Sequence, residues 1–282
     1  MKTILVPVDF TSTTENAVRV AAEWAKQYNY GQIILLKTSE EFEFDYLHIA
    51  EGNSFVNSES INNLLERTES LLYKLSQIIV ERLPDINILT ETSSWNITRS
   101  VNQILKDYPS IELIILGSDV QAESGDSIVS ENIISLARTS PVKTLIVPNR
   151  YRYSKIKDVL IPCDINSITK VDRLFHYRSV IQQQDYQLKF LNILTKENTN
   201  ITDEKKNELE NYIHQNLIDI PSSISYSYDK NIINGIINCA KSNDTDLIIA
   251  LPGRHSFLYY LTSNSISEGI YQNINLPVMV LK

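Results

Sequence analysis

Ile4-Leu5-Val6-Pro7-Val8-Asp9 and Val159-Leu160-Ile161-Pro162-Cys163-Asp164 carry one pattern twice: an apolar run with a proline, closed by an aspartate. Pro7 and Pro162 stand 155 residues apart, and so do Asp9 and Asp164. Leu36 pairs with Leu191 at the same offset. Later landmarks pair at a shorter one: Leu113-Ile114-Ile115 with Leu247-Ile248-Ile249, then Pro141-Val142 with Pro277-Val278. A duplication sets the architecture before single residues are read. What both halves keep reads as structural, and what they keep differently reads as functional.

Working outward, the apolar runs alternate in type. Ile4–Val8 is continuous and rich in Val and Ile, which predicts a buried strand. Ser12-Thr13-Thr14-Glu15 reads as a capping box, so a helix begins there. Its apolar face is Ala17, Val20, Ala21, Trp24 and Ala25, at helical spacing. Strand Ile33–Leu36 follows, then a long helix with Leu64, Leu65, Leu71, Leu72, Leu75 and Ile79, ended by Pro84. Strand Ile86–Thr90, helix Ile97–Leu105, strand Leu113–Leu116, helix Ile133–Ala137 and strand Val142–Val147 complete the first half. The second half repeats the order with strands Val159–Pro162, Leu188–Ile193, Ile224–Tyr228, Leu247–Ala250 and Val278–Leu281. Its helices are expected near Ile168–Gln182, Glu204–Leu217, Ile232–Ala240 and Ser265–Gln272. Short apolar strands alternating with helices predict parallel sheets covered on both faces.

The offset falls from 155 to 134 between Leu36 and Leu113, so the first half holds 21 extra residues. They are placed around Ser39–Ser58, where Phe42, Phe44, Tyr46 and Phe55 predict packing against something rather than a linker. Asn149–Lys157 joins the halves, giving domains at 1–150 and 151–282. A joint this short predicts domains that touch.

Composition narrows the class. Hydrophobic residues make up 43% and charged residues 21% of 282, the balance of a globular protein of two domains. The net charge of −8 speaks against a nucleic-acid surface, which needs a basic stripe. Cys163 and Cys239 form no CxxC pair and read as two buried small hydrophobes. His48, His176, His214 and His255 show no metal spacing. Neither GxSxG nor GxxxxGK[ST] occurs. Asp119, Glu123 and Asp126 read as a solvated loop rather than an acid–base cluster. No membrane span or signal peptide is expected, and cytoplasm is the default location.

Ile-Leu-Val-Pro-Val-Asp, the capped helix, the Ile-Ile-Leu-Leu strand, an acidic residue before Leu-Ile-Ile-Leu-Gly, and Ser-Pro-Val-Lys-Thr-Leu-Ile-Val-Pro together resemble the universal stress protein family. The second half shares Ile161–Asp164, Asp246–Ile249 and Leu276–Leu281. The resemblance implies an α/β fold of two tandem five-stranded parallel-sheet sandwiches of nucleotide-binding, Rossmann- or flavodoxin-like type. They would pair within one chain as a pseudo-dimer, and a homodimer of the tandem chain fits the same pattern.

The resemblance also implies where a ligand would sit. In the family, the aspartate after the first strand and the end of the second strand lie near an adenine nucleotide's base and ribose. The loop after the fourth strand wraps the phosphates as Gly-x2-Gly-x9-Gly-Ser/Thr. Glycines let backbone N–H groups approach phosphate, and the hydroxyl caps the next helix. The candidate residues in the first half are Asp9, Thr38, Gly117, Ser118 and Ser130; in the second they are Asp164, Ile193, Gly253, Arg254 and Ser265. Both halves depart from the pattern. Val120 replaces the second glycine, Ile128 or Val129 falls near the third, and Gly125 is out of step. Glu123 and Asp126 would repel a triphosphate, at about 1–4 kcal/mol for each like pair at 4 Å. In the second half Leu251, Arg254 and Asn264 stand at the glycine positions, and Gly253 is one residue off. Arg254, His255 and Ser256 could still hold a phosphate. For Asp9 and Asp164 the plainer reading is a carboxylate at a helix start.

Three functions are thus in play. The first is a non-catalytic binding and regulatory protein of the universal stress kind, with degenerate loops, no cofactor, and a small molecule or protein as partner. The second binds ATP or AMP in one half and hydrolyses ATP slowly. The third is an interaction module whose contact surface is Phe42, Phe44, Tyr46 and Phe55.

Overall fold

Thr3–Val8 forms β1 in the computed structural model, and all six residues are buried. The structure describes residues 1–38, 58–118, 128–182, 185–195, 202–251 and 275–281. The chain divides into two compact units, Met1–Tyr153 and Ser154–Lys282. The aromatic residues expected to pack between Ser39 and Ser58 lie outside the described residues.

In the first unit β1 is joined by β2 (Gln32–Thr38), β3 (Asn87–Ser93), β4 (Ile111–Ser118) and β5 (Lys143–Pro148). Their order is β3-β2-β1-β4-β5, and every neighbouring pair is parallel. Helices α1 (Ser12–Tyr28), α2 (Ser58–Val80), α3 (Ile97–Asp107) and α4 (Ile128–Thr139) connect the strands. They pack as α1 on α2 and α3 on α4. Since β1 is buried throughout, both faces of its sheet are covered, as the continuous apolar run requires.

The first helix docks unusually close. Ala17, Ala21 and Ala25 are buried with Val20 and Trp24, so the helix presents mostly methyl groups to the sheet. The decisive residue is on β4. A Cβ at Gly117 would lie 2.6 Å from the Thr13 carbonyl oxygen and 2.9 Å from its carbon. Only a glycine leaves room for that backbone. The N-cap of α1 is Thr11, whose side chain accepts from the Thr14 N–H, rather than the expected Ser12. Ser12 is exposed and already inside the helix. At the far end Asn29 adopts the left-handed conformation, φ 55°, and its N–H closes on the Ala25 carbonyl. On α2, Leu72, Leu75 and Ile79 are buried as expected, but Leu65 is exposed. Asn16 then fastens α1 to the chain after β5. Buried, it donates to the Pro148 and Tyr151 carbonyls at 3.0 and 3.1 Å.

The second unit repeats the layout with β6 (Asp158–Pro162), β7 (Gln187–Leu194), β8 (Ser222–Tyr228), β9 (Leu247–Ala250) and β10 (Val278–Val280). The order is β10-β9-β6-β7-β8, again parallel. In each unit the first strand lies centrally, with the second and third to one side and the fourth and fifth to the other. The acid before β9 has a structural role, since Asp246 accepts from the N–H groups of Lys157 and Asp158, both at 2.9 Å.

One element departs from the repeat. Instead of a continuous helix through Ile168–Gln182, the chain forms a 3₁₀ helix at Ile165–Val171, then short helices α5 (Asp172–Phe175) and α6 (Arg178–Gln182). Ile165, Ile168, Thr169 and Val171 are β-branched and resist α-helix. Ile165, Val171 and Leu174 are buried, and Ile168 is half-buried. This spacing of three matches the three residues per turn of a 3₁₀ helix. The counterpart of Gly117 here is Leu251, a buried side chain. Helices α7 (Asp203–Asn216) and α8 (Ile232–Ser242) also belong to this unit, α7 against the 3₁₀ helix and α8 against β7, and the helix expected near Ser265–Gln272 lies outside the described residues.

Gly117→Ala is expected to lose about 1–3 kcal/mol of stability, because its methyl meets backbone that cannot yield. Urea unfolding measures it, with the exposed position Ser12→Ala changing by less than about 0.5 kcal/mol.

Candidate functional site at the strand ends

In an open parallel sheet, the crevice for a ligand opens where strand order reverses, beyond the carboxyl ends. In the first unit that point lies between β1 and β4. The register Leu5↔Ile114, carried up the strands, sets Val8 beside Gly117, with Asp9 and Ser118 just beyond. The structure therefore brings Asp9, Gly117 and Ser118 to one place. Thr38 closes β2 next to them, since Val8 pairs with Lys37.

Each of these residues is engaged by its neighbours. One carboxylate oxygen of Asp9, Oδ1, accepts from the Thr11 N–H at 3.2 Å, the Thr11 hydroxyl at 2.7 Å and the Thr14 hydroxyl at 3.0 Å. The Asp9 N–H donates to the Thr14 hydroxyl at 3.4 Å. This knot holds Phe10 at φ 63°, a left-handed conformation that a bulky side chain seldom adopts. The Lys37 ammonium lies 5.5 Å from the Phe10 ring centroid. Thr38 and Ser118 are buried, and the Ser118 carbonyl accepts from the Asn149 N–H at 2.9 Å. Ser130 lies in the first turn of α4. The loop between, with Val120, Glu123, Gly125 and Asp126, lies outside the described residues.

The second unit places Asp164 at the equivalent turn. Its Oδ1 accepts from the Asn166 N–H at 2.9 Å, as Asp9 does from Thr11, and caps the 3₁₀ helix. Ile193 is buried near the end of β7. Its methyl group would sit 2.9 Å from a Cβ on Gly235, so α8 packs directly on it. Gly253, Arg254 and Ser265 lie outside the described residues.

Two groups here escaped the sequence reading. Asn192 is buried in β7 and donates to the Cys163 carbonyl at 3.0 Å. Its side-chain oxygen has no hydrogen-bond partner among the described residues. The signal was an amide set in the apolar run Phe190-Leu191-Asn192-Ile193. The other is Tyr226, which faces Asn192 across the β7–β8 register and donates to Glu210 at 3.3 Å. Burial, aided by the Glu210 carboxylate, pushes its hydroxyl up to about 12. Cys163 and Cys239 are half-buried rather than enclosed. Burial first, and the Asp164 carboxylate second, push the Cys163 thiol up to about 12. A thiolate nucleophile at neutral pH is the opposite of this environment.

Two cavities lie elsewhere in the first unit. One, of about 790 Å³, is lined by Trp95, Arg99, Gln103, Lys106 and Asn132, with the Arg99 guanidinium 4.0 Å above the Trp95 ring. The other, of about 580 Å³, runs along α1 past Glu15, Arg19, Arg82 and Arg152. Glu15 pairs there with Arg19, and Glu23 with Arg82 at 3.8 Å. Among the described residues, no three of His, Cys, Asp and Glu gather to hold a metal ion, and no helix is long and apolar enough to cross a membrane.

No protein-family model matches the chain, and no curated protein matches it. Solved structures do. A universal stress protein from Archaeoglobus fulgidus DSM 4304 superposes with a TM-score of 0.65 at 14% identity, covering 99% of this chain and 96% of that one. A candidate universal stress protein from Pseudomonas aeruginosa UCBPP-PA14 gives 0.56 at 11% identity, over 100% and 93%. The cytoplasmic domain of a prokaryotic cation chloride cotransporter gives 0.50 at 10% identity, over 99% and 95%. The chain therefore has a universal-stress-protein-like α/β fold along nearly its whole length.

The raised thiol carries a pH consequence. Folding holds Cys163 protonated up to about 12, against 9.0 for an ordinary thiol. Its contribution to stability is complete below pH 9.0 and is lost as pH rises toward the folded value. Unfolding free energy measured in steps above pH 9.0 should fall less steeply in Cys163→Ala than in the parent chain.

Proposed function

We propose that this chain is a non-catalytic binding and regulatory protein of the universal stress kind, in which the first-unit strand-end site has been turned over to structure. One observation carries the reading. Asp9 and Gly117, two of the residues that keep the nucleotide-binding pattern there, both have local work. Asp9 ties the turn before α1, and Gly117 admits the Thr13 backbone. These roles account for both residues without a ligand. The Cys163 thiol beside the second-unit turn is held protonated and is no activated nucleophile. The likeness to a cotransporter's cytoplasmic domain is in keeping, since that fold is found there as part of a transporter.

The second reading, an ATP or AMP site, has its support in the second unit. The Asn192 oxygen is a buried acceptor next to the turn of Asp164. A buried acceptor left without a donor costs about 1–3 kcal/mol, which the N–H of a bound ring would relieve.

Calorimetric titration of nucleotide-stripped protein with magnesium ATP and with AMP separates the two. The proposal expects no heat at nucleotide concentrations of about 1 mM, weaker than about 4 kcal/mol of binding. Micromolar binding lost in Asp9→Asn would contradict it in the first unit. Micromolar binding lost in Asn192→Ala, with Asp9→Asn unaffected, would establish the second reading.

A further inference from the structure

The third strand of the second unit ends its sheet among the described residues, and its own sequence carries neither charge nor proline. Among the described residues, β8 pairs only with β7. Ser222-Ser223-Ile224-Ser225-Tyr226-Ser227-Tyr228 holds no charge and no proline. Edge strands are ordinarily blunted by lysine, proline, a bulge or shortness. The edge strand of the first unit, β3, carries Glu91, to which Tyr108 donates.

The direction of the backbone groups is fixed by two bonds. Leu188 N–H donates to the Pro221 carbonyl at 2.9 Å, and Asp229 N–H donates to the Leu194 carbonyl at 3.1 Å. Backbone groups alternate along a strand, so Ser223, Ser225 and Ser227 turn theirs to β7. Ser222, Ile224, Tyr226 and Tyr228 turn their N–H and C=O groups outward.

From this edge we infer that β8 is a self-pairing surface, on which a second copy of the chain adds its own β8 antiparallel about a two-fold axis through Ser225. In that register Ile224 meets Tyr226 and Ser222 meets Tyr228 of the second copy. All four are outward-facing, so each meeting is a hydrogen-bonded pair and every outward group is satisfied. Ser225 meets itself and Ser223 meets Ser227, at the close non-hydrogen-bonded positions. There small side chains fit best. A one-residue shift would bring outward groups opposite inward ones. The interface is isologous, so it closes at two copies.

Two further features favour this occupant. In the second unit, the large apolar side chains exposed among the described residues are Ile218, at 74%, and Tyr228, at 52%. Ile218 precedes β8 by four residues, and Tyr228 ends it. An antiparallel partner brings the Tyr228 end of one copy to the Ile218 end of the other, where both can be covered. Within β8 itself there are no charges to repel a second copy. The inference does not depend on whether either unit binds a nucleotide.

The test uses the full chain with Cys163→Ser and Cys239→Ser as background. Across non-hydrogen-bonded antiparallel positions, Cα atoms stand about 4.5 Å apart. That is within the roughly 4.4–6.8 Å span of a disulfide. Ser225→Cys should therefore cross-link to itself under mild oxidation, and Ser227→Cys, which faces Ser223, should not. Sedimentation equilibrium of the parent chain should show dimers below about 100 µM, and Ser225→Lys should weaken them at least about tenfold. Circular dichroism checks that each variant is folded, and the cysteine pair decides the matter if Ser225→Lys is not. A monomer at every concentration, a dimer indifferent to Ser225→Lys, or equal cross-linking at both positions would overturn the inference.

Discussion

The close approach of α1 to β4, through the bare backbone of Gly117, is the constraint on which the first unit rests. Because the Thr13 carbonyl occupies the space a side chain would need, the start of the helix is held against the carboxyl end of the sheet. The turn leading into it must then be sharp. Phe10 accepts a left-handed conformation to make it, and Asp9 ties that turn with bonds to Thr11 and Thr14. Asn16 fastens the same helix to the end of β5. Strand order, crevice and helix are thus set by contacts within a few residues of one another.

In the second unit that constraint is lifted. Leu251 stands where Gly117 does, and the segment after β6 is a 3₁₀ helix and two short turns of α-helix. The carboxylate remains, and Asp164 still caps the 3₁₀ helix. An aspartate after the first strand is therefore explained in both units by the helix start it serves. The glycine is explained in the one unit whose helix comes close. The unit that lost the glycine also holds, beside its strand-end turn, the buried Asn192 amide oxygen without a donor among the described residues. Structure and ligand thus make different demands in the two halves, and the two functional readings divide along the same line.

Much of this was legible in the sequence. The repeated Pro-x-Asp endings and apolar strands placed the elements, the strand ends and the α/β class, because burial on both faces demands continuous apolar runs. Other features were hidden. Thr11 rather than Ser12 caps α1 because Asp9 orients its hydroxyl, a relation set by the turn and not by capping-box spacing. The 3₁₀ helix was written in the spacing of three from Ile165 to Leu174, but a four-residue offset reads equally well over so short a stretch. Asn192 was visible as a polar residue in an apolar strand, yet only the packed neighbours show that one of its atoms lacks a partner. Gly117 reads as a phosphate-loop glycine until the helix backbone is seen beside it.

The central claim is that Asp9 serves the start of α1. Hydrogen exchange of the ligand-free chain, compared with Asp9→Ala, tests it most directly. The account predicts a loss of protection confined to the first turn of α1, at the amides of Thr14 to Ala17, with the core amides of β1 and β4 unchanged. Protection in that turn equal to the parent chain's would contradict it, and would return Asp9 to the ligand.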